Sequence, residues 1–286
     1  MMRLAAPVLM VAVALTACAP RASDSSPTTT EPVETSTTTT AASQGPDCLA
    51  GELPFAEQGV AAALDSPQHD ATTIGGIRWQ SEEGCERVLI EFLAEGGSPA
   101  TRLGPVGVTV APDTGIIRIS LPDEVEATAI GDSAIAGSLV DHIYVVEGIE
   151  EGLVVDVHLA VRAAARAFTT TSPSRLVVDL RPASDVPIGS AARTDGRVVV
   201  SSPLPGPNLY PIQVSGYAAP GVEAVLVTMS ADGAVALQRS VSTVTEHHLW
   251  RAFVLTISDG PAGPVEVRVA AEGDADGGVI VELDLP

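Results

Sequence analysis

The chain has 286 residues, a formal net charge of -21 and a sequence pI near 4.4. So acidic a balance argues against a nucleic-acid partner and against adsorption of the folded body to anionic phospholipid. All 15 basic residues are arginine, a bias of composition on which no function is built.

At the N-terminus, Arg3 precedes an apolar run from Leu4 to Leu15, long enough for a secretory signal core and too short to span a bilayer. The run ends in Leu15-Thr16-Ala17-Cys18. This stretch resembles the lipobox of bacterial lipoproteins. The resemblance implies cleavage after a signal peptide of residues 1–17, a diacylglycerol on Cys18, and anchoring at the extracytoplasmic face of the cell membrane through acyl chains. With Cys18 assigned to lipid, Cys48 and Cys85 remain, and in an oxidising compartment they are expected to pair. A closed loop of that length stabilises by roughly 3 to 4 kcal/mol in the chain-entropy model.

Residues 18–47 are dominated by Ala, Ser, Thr, Pro and Glu, with threonine runs at 28–30 and 37–40. Too few apolar residues are present to offset ordering entropy, so the segment reads as a disordered stalk. Its root-mean-square span is about 30 Å and its extended limit about 100 Å. Pro54 to Leu64 reads as a short helix closed by Asp65-Ser66-Pro67. Strand signals follow. Glu86 to Leu93 alternates Val88, Ile90 and Phe92 against Arg87, Leu89 and Glu91. Val106–Val110 and Ile116–Leu121 flank the turn Pro112-Asp113-Thr114-Gly115, and Val140–Val146 and Leu153–Val161 flank a second hairpin connection. In Leu153–Val161 the odd positions are apolar, whereas Asp156 and His158 fall on the wetter face. Arg175 to Arg181 repeats the pattern, giving a mostly-β domain over residues 48–182.

Glu86-Arg87-Val88-Leu89-Ile90-Glu91-Phe92, preceded by Trp79 and Gly84, and the closing Ser174-Arg175-Leu176-Val177-Val178-Asp179-Leu180-Arg181-Pro182 resemble the first and last strands of AMIN domains. In order and spacing they resemble the AMIN-like domain of actinobacterial envelope lipoproteins. The resemblance implies localisation by binding to the cell wall, and it transfers no ligand residue.

Residues 183–194 read as an interdomain linker, so residues 195–286 are expected to fold alone. That region holds seven strand candidates: Val198–Ser201, Ile212–Tyr217, Val222–Met229, Ala234–Val244, Leu249–Ser258, Val265–Ala270 and Val279–Leu285. The turns include Asp232-Gly233, Asp259-Gly260 and Asp276-Gly277. This is the count and length of an immunoglobulin-like sandwich. Val200-Ser201-Ser202-Pro203-Leu204-Pro205-Gly206, then Pro211-Ile212-Gln213-Val214-Ser215-Gly216-Tyr217-Ala218 and Val222-Glu223-Ala224, resemble the opening of the immunoglobulin-like Gmad domain associated with spore germination proteins.

Three constellations carry no chemistry that holds together. Gly131-Asp132-Ser133 with Asp141-His142 lacks the strand-to-helix turn an esterase nucleophile needs. Glu246-His247-His248 puts adjacent imidazoles on opposite strand faces, unsuited to one metal ion. Asp274-Ala275-Asp276-Gly277 has Val279 and Leu285 where a calcium loop wants glycine and glutamate. A fourth, Arg162, Arg166, Arg175 and Arg181, is a candidate ligand-binding set, because arginines brought together hold carboxylates bidentately.

The expectation is a mostly-β, non-catalytic envelope lipoprotein with no cofactor and no metal, binding peptidoglycan or another envelope polymer. A second reading is an accessory lipoprotein acting through protein contacts in an envelope or sporulation/germination-related assembly. A third, an esterase or amidase, lacks its residues.

Overall fold

The computed structural model describes residues 47–286 apart from 67, 129, 150–151, 188–192, 245–248 and 275–276. The signal segment, Cys18, the stalk, the Glu246-His247-His248 cluster and Asp276 lie outside the described residues. What is described is mostly β, with a single 3₁₀ turn at Glu95–Gly97. No helix among the described residues is long and apolar enough to cross a membrane.

The first half contributes β1 (Gly59–Leu64), β2 (Ala71–Glu82), β3 (Cys85–Ala94), β4 (Val106–Ala111), β5 (Ile116–Ser120), β6 (Ala127–Thr128), β7 (Asp132–Ala134), β8 (Val140–Glu147), β9 (Leu153–Leu159), β10 (Val161–Thr170) and β11 (Arg175–Pro187). The second contributes β12 (Arg193–Thr194), β13 (Val198–Ser202), β14 (Gly206–Pro207), β15 (Ile212–Ala218), β16 (Ala224–Ala231), β17 (Ala234–Ser242), β18 (Trp250–Ile257), β19 (Gly263–Ala271) and β20 (Val279–Leu285). Of the segment read as a linker, residues 183–187 continue β11 and 193–194 form β12.

Three sheets result. One runs β10-β11-β3-β2-β6, one β14-β20-β19-β16-β17, and a ten-stranded sheet runs β1-β4-β5-β9-β8-β18-β15-β13-β12, with β7 beside β8. The large sheet crosses between the halves where β18 pairs parallel with β8, Trp250 opposite Val146 and Arg251 opposite Glu147. The expected hairpins β4–β5 and β8–β9 form as antiparallel pairs.

Period-two alternation sorts each strand into a core face and an outer face. Val88, Ile90 and Phe92 of β3, Leu176, Val178 and Leu180 of β11, and Ile143, Val145, Val155 and Val157 of β8 and β9 share the first core. Val214, Phe253, Val227, Val267 and Val281 belong to the second. A third cluster lies between the halves. Tyr144 and Val146 of β8 meet Val199, Tyr217 and Trp250 of the second half, all on faces turned away from the two main cores. Tyr144 packs edge-on to Trp250 at 4.9 Å between ring centroids, a geometry favoured by the ring quadrupoles.

Three sequence expectations are corrected. The helix over Pro54–Leu64 does not form: residues 59–64 are β1, paired with β4 from Gly59↔Val110 to Leu64↔Val106. Alanine-rich character favours a helix locally, but the exposed edge of β4 offers a ladder, and tertiary pairing overrides propensity. The strand drawn from Leu153 to Val161 breaks at Ala160, where the chain leaves the large sheet and β10 begins in another. The supposedly wetter face of β9 is also closed over: Asp156 is fully buried and His158 nearly so.

Candidate functional site

The outer face of the sheet built from β2, β3, β10 and β11 gathers most of the arginines singled out in the sequence. Registers define its cross-strand rows. Arg166, Asp179, Arg87 and Gln80 form one row, Phe168, Val177, Leu89 and Arg78 the next, and Thr170, Arg175, Glu91 and Gly76 the one beyond.

Arg166, Asp179 and Arg87 of the first row are buried under the N-terminal arm, while Gln80 at its end is exposed. Arg87 donates from Nε to Asp179 Oδ1 at 2.6 Å and from Nη2 to Oδ2 at 3.1 Å, while Arg166 Nε and Nη2 reach Oδ2 at 3.2 and 3.1 Å. The Asp179 carboxylate and the buried guanidiniums thus compensate one another. The hydrogen bonds to Asp179 hold Arg87 above the ordinary arginine range in spite of its burial. Arg166 also donates to main-chain carbonyls of the arm: Cys48 at 3.0 Å, Leu53 at 3.4 Å, Gly51 at 3.5 Å, and Ala50. The expected disulfide joins Cys48 to Cys85 on β3, and Glu82 accepts the Cys48 N–H at 3.0 Å. Asp47, Cys48, Glu82 and Cys85 cluster closely enough to suggest a metal site, but with both sulfurs joined the cluster offers no thiolate. Phe55 completes the arm, its ring stacked by the Arg166 and Arg181 guanidiniums at 4.7 and 4.8 Å.

The other two rows are open to solvent in part. Glu91 is flanked by Arg78 Nη2 at 3.0 Å and Arg175 Nη2 at 2.9 Å. The Arg78 side chain is 65% exposed and that of Arg175 38%, so both remain reachable. Arg175 Nε is buried and has no partner among the described residues, so the reachable part of that guanidinium is its Nη end. Beside this charged triplet lie the half-buried Leu89 and Phe168.

The four sequence candidates therefore separate. Arg166 is structural, at 3% exposure, and is withdrawn as a ligand residue, because its donors are taken by Asp179 and the arm. Arg181 is exposed but lies over Phe55, Arg162 is exposed near the start of β10, and Arg175 sits on the open row. Arg78 joins Arg175 and was not singled out from the sequence. Its signal was the alternation Gly76, Arg78, Gln80 in a strand whose register could not be known.

Two further polar nodes are built into the fold. Glu86, 1% exposed, accepts from Trp79 Nε1 at 2.9 Å, Ser138 N at 2.6 Å, Ser138 Oγ at 2.8 Å, Leu139 N at 3.0 Å and Val140 N at 3.0 Å. Burial alone would raise its pKa, but these donors outweigh it and hold the carboxyl below the usual range. Gly137 makes the wrap possible, since a Cβ there would sit 2.6 Å from Glu86 Oε2. Between the halves, Arg118 grips Asp156 through Nε at 2.9 Å and Nη2 at 2.6 Å, and the Tyr217 hydroxyl donates to Asp156 Oδ2. Burial raises the Tyr217 phenol well above its ordinary range and lowers the neighbouring His158 imidazole to about 4.

The esterase candidates do not assemble. His142 Nε2 and Asp132 Oδ2 lie 3.0 Å apart at the surface, while Ser133, the next residue along β7, alternates to the other side. At the calcium-like turn, Asp274 Oδ1 accepts Gly277 N–H at 2.8 Å and Oδ2 meets Arg197 at 3.3 Å, so that carboxylate serves the turn.

Comparison with family models and with curated proteins found no match for this chain, so the likeness to AMIN and Gmad domains rests on the strand motifs quoted above.

Proposed function

We propose that this chain is a lipid-anchored envelope lipoprotein without catalytic activity. Its first half binds an anionic envelope polymer, peptidoglycan first among them, through the open rows of the β2-β3-β10-β11 face. The observation that carries this reading is the pairing of two exposed guanidiniums, Arg78 and Arg175, around one carboxylate beside the half-buried Phe168 and Leu89. Arginine forks bind carboxylates in two-point fashion, and an adjoining aromatic and aliphatic surface accepts the apolar face of a sugar or peptide. On a chain of charge -21, attraction to an anionic polymer needs such a local excess of cations. The lipobox resemblance at Cys18 and the AMIN-like strand motifs point to the same compartment.

The test is co-sedimentation of the purified protein with insoluble peptidoglycan at low and high salt. Arg78→Ala with Arg175→Ala, the first exposed and the second half-buried, is expected to lower retention about tenfold while leaving the far-UV spectrum unchanged and Tm within a few degrees. Equal retention of the double variant at low salt overturns the reading.

A further inference from the structure

The ends of the three sheets are not equally protected. β10 is bridged at Ala165 by Ala56, three residues ahead of the six-residue β1, and β6, β12 and β14 are two residues long. The longest unbridged end among the described residues is β17, nine residues long, last in its sheet and exposed along nearly its whole length. Val235 is 63% exposed, and Val244, just past the strand, 68%. Edge strands of this length are ordinarily blunted by proline, lysine or inward-pointing charge, because unpaired N–H and C=O groups invite another strand. β17 carries none of these, and its one bulge, at Ala236, leaves Gln238 to Ser242 in regular register. Its one charge is Arg239, and over residues 224–242 the only other is Asp232, so this strip is neutral on a chain of charge -21.

Which main-chain groups face away from β16 follows from the ladder. The Thr243 N–H donates to Glu223 O at 2.9 Å, and the β16–β17 register continues this pairing from Ala224↔Ser242 onward. Position 243 therefore points towards β16, and by alternation Val241 and Arg239 do too, leaving Ser242, Ser240 and Gln238 with main-chain groups aimed outward. An independent contact agrees: Gln238 O accepts from the Arg239 guanidinium at 3.1 Å, as an outward carbonyl would.

We infer that β17 is a self-association edge, pairing antiparallel with β17 of a second copy about a dyad at Ser240. In that register Ser240 faces its own equivalent, and Gln238 faces Ser242 of the partner copy. All the outward groups are then used, in about six main-chain hydrogen bonds, with the Arg239 guanidinium giving up Gln238 O to the partner strand. Arg239 falls opposite Val241 rather than opposite itself, so no like charges meet. A second copy is favoured over a charged partner because the strip is neutral and the outward groups repeat symmetrically about Ser240. A two-fold contact needs that self-complementarity. The buried area is small, so the dimer is weak in dilute solution.

The test uses the full chain carrying Cys18→Ser, which removes the thiol outside the Cys48–Cys85 pair. A hydrogen-bonded antiparallel pair has Cα atoms about 5.5 Å apart, within disulfide range. Ser240→Cys is therefore expected to cross-link under mild oxidation about tenfold faster than a control cysteine at exposed Ser120. Sedimentation equilibrium of the uncross-linked protein is expected to show a dimer fraction rising with concentration. Ser240→Pro removes an outward donor and the exposed hydroxyl contact to Glu272 without touching the β16 ladder, and is expected to abolish the dimer while keeping Tm within a few degrees. Monomer mass at every concentration, or cross-linking no faster than the Ser120→Cys control, overturns the inference.

Discussion

Replacing Arg166 with alanine tests whether this residue is a strut or a ligand group. The side chain contributes two hydrogen bonds to Asp179 and donates to the arm carbonyls of Cys48, Ala50, Gly51 and Leu53. Removing one partner of a buried ion pair typically costs about 3 to 5 kcal/mol, but here Arg87 keeps its two bonds to the same carboxylate, so Asp179 is not orphaned. Water can reach part of the freed arm, which lowers the cost further. Bonds to charged groups are worth about 1.5 to 3 kcal/mol each and overlap in a shared network, so the loss should be about 3 kcal/mol. For a folded region of this size that corresponds to a fall of roughly 6 to 12 °C in Tm. The assay is urea denaturation of the oxidised protein with its Cys48–Cys85 bond intact. A loss below about 1 kcal/mol would refute the strut. So would an unchanged Tm accompanied by lost polymer binding.

The remaining predictions concern other parts of the molecule. His158 has a folded pKa of about 4 against an ordinary 6.5, with Asp156, His142 and Arg118 as its charged neighbours and Tyr144 and Tyr217 packed near its ring. Its contribution is full above pH 6.5 and is lost as pH falls towards 4, by at most about 3 kcal/mol. His158→Phe should flatten the stability profile in that window, and superimposable profiles would count against a neutral buried imidazole. Residues 195–286 expressed alone would expose Val199, Tyr217 and Trp250, so their Tm should fall well below that of the whole chain, with the lost burial worth about 5 kcal/mol. Equal Tm values would show that the contact between halves adds nothing. Cys18→Ser should shift the protein from the membrane fraction to the medium, since acyl chains are the expected attachment, and continued membrane retention would dispose of the lipobox reading.

Much of the strand order could be read from the sequence because alternation is strong in β3, β9, β11, β19 and β20, and because hairpin turns such as Asp113 to Gly115 carry their own chemistry. β10 was harder. Its Ala163, Ala165 and Ala167 face the core, but alanine signals a helix as readily as a strand. The arm's last residues misled for the same reason. Periodicity also says which residues share a face and nothing about what covers that face. Asp156 and His158 looked solvated because the second half that buries them begins far along the chain. Arg166 looked available for a similar reason: its partners are arm carbonyls, which have no sequence signature. The open pair Arg78 and Arg175 depends on the β2–β3–β11 register, which links residues about a hundred positions apart.

The most direct test of the binding reading is a two-dimensional NMR titration of the isotope-labelled protein with soluble peptidoglycan fragments, following backbone amides and arginine Nε–H groups. The account predicts that the largest shifts fall on Arg78 Nε, on Arg175 Nε through its exposed Nη end, and on the Leu89 and Phe168 amides, and that they shrink as salt is added. Shifts confined to the second half, or none at saturating fragment, would contradict it.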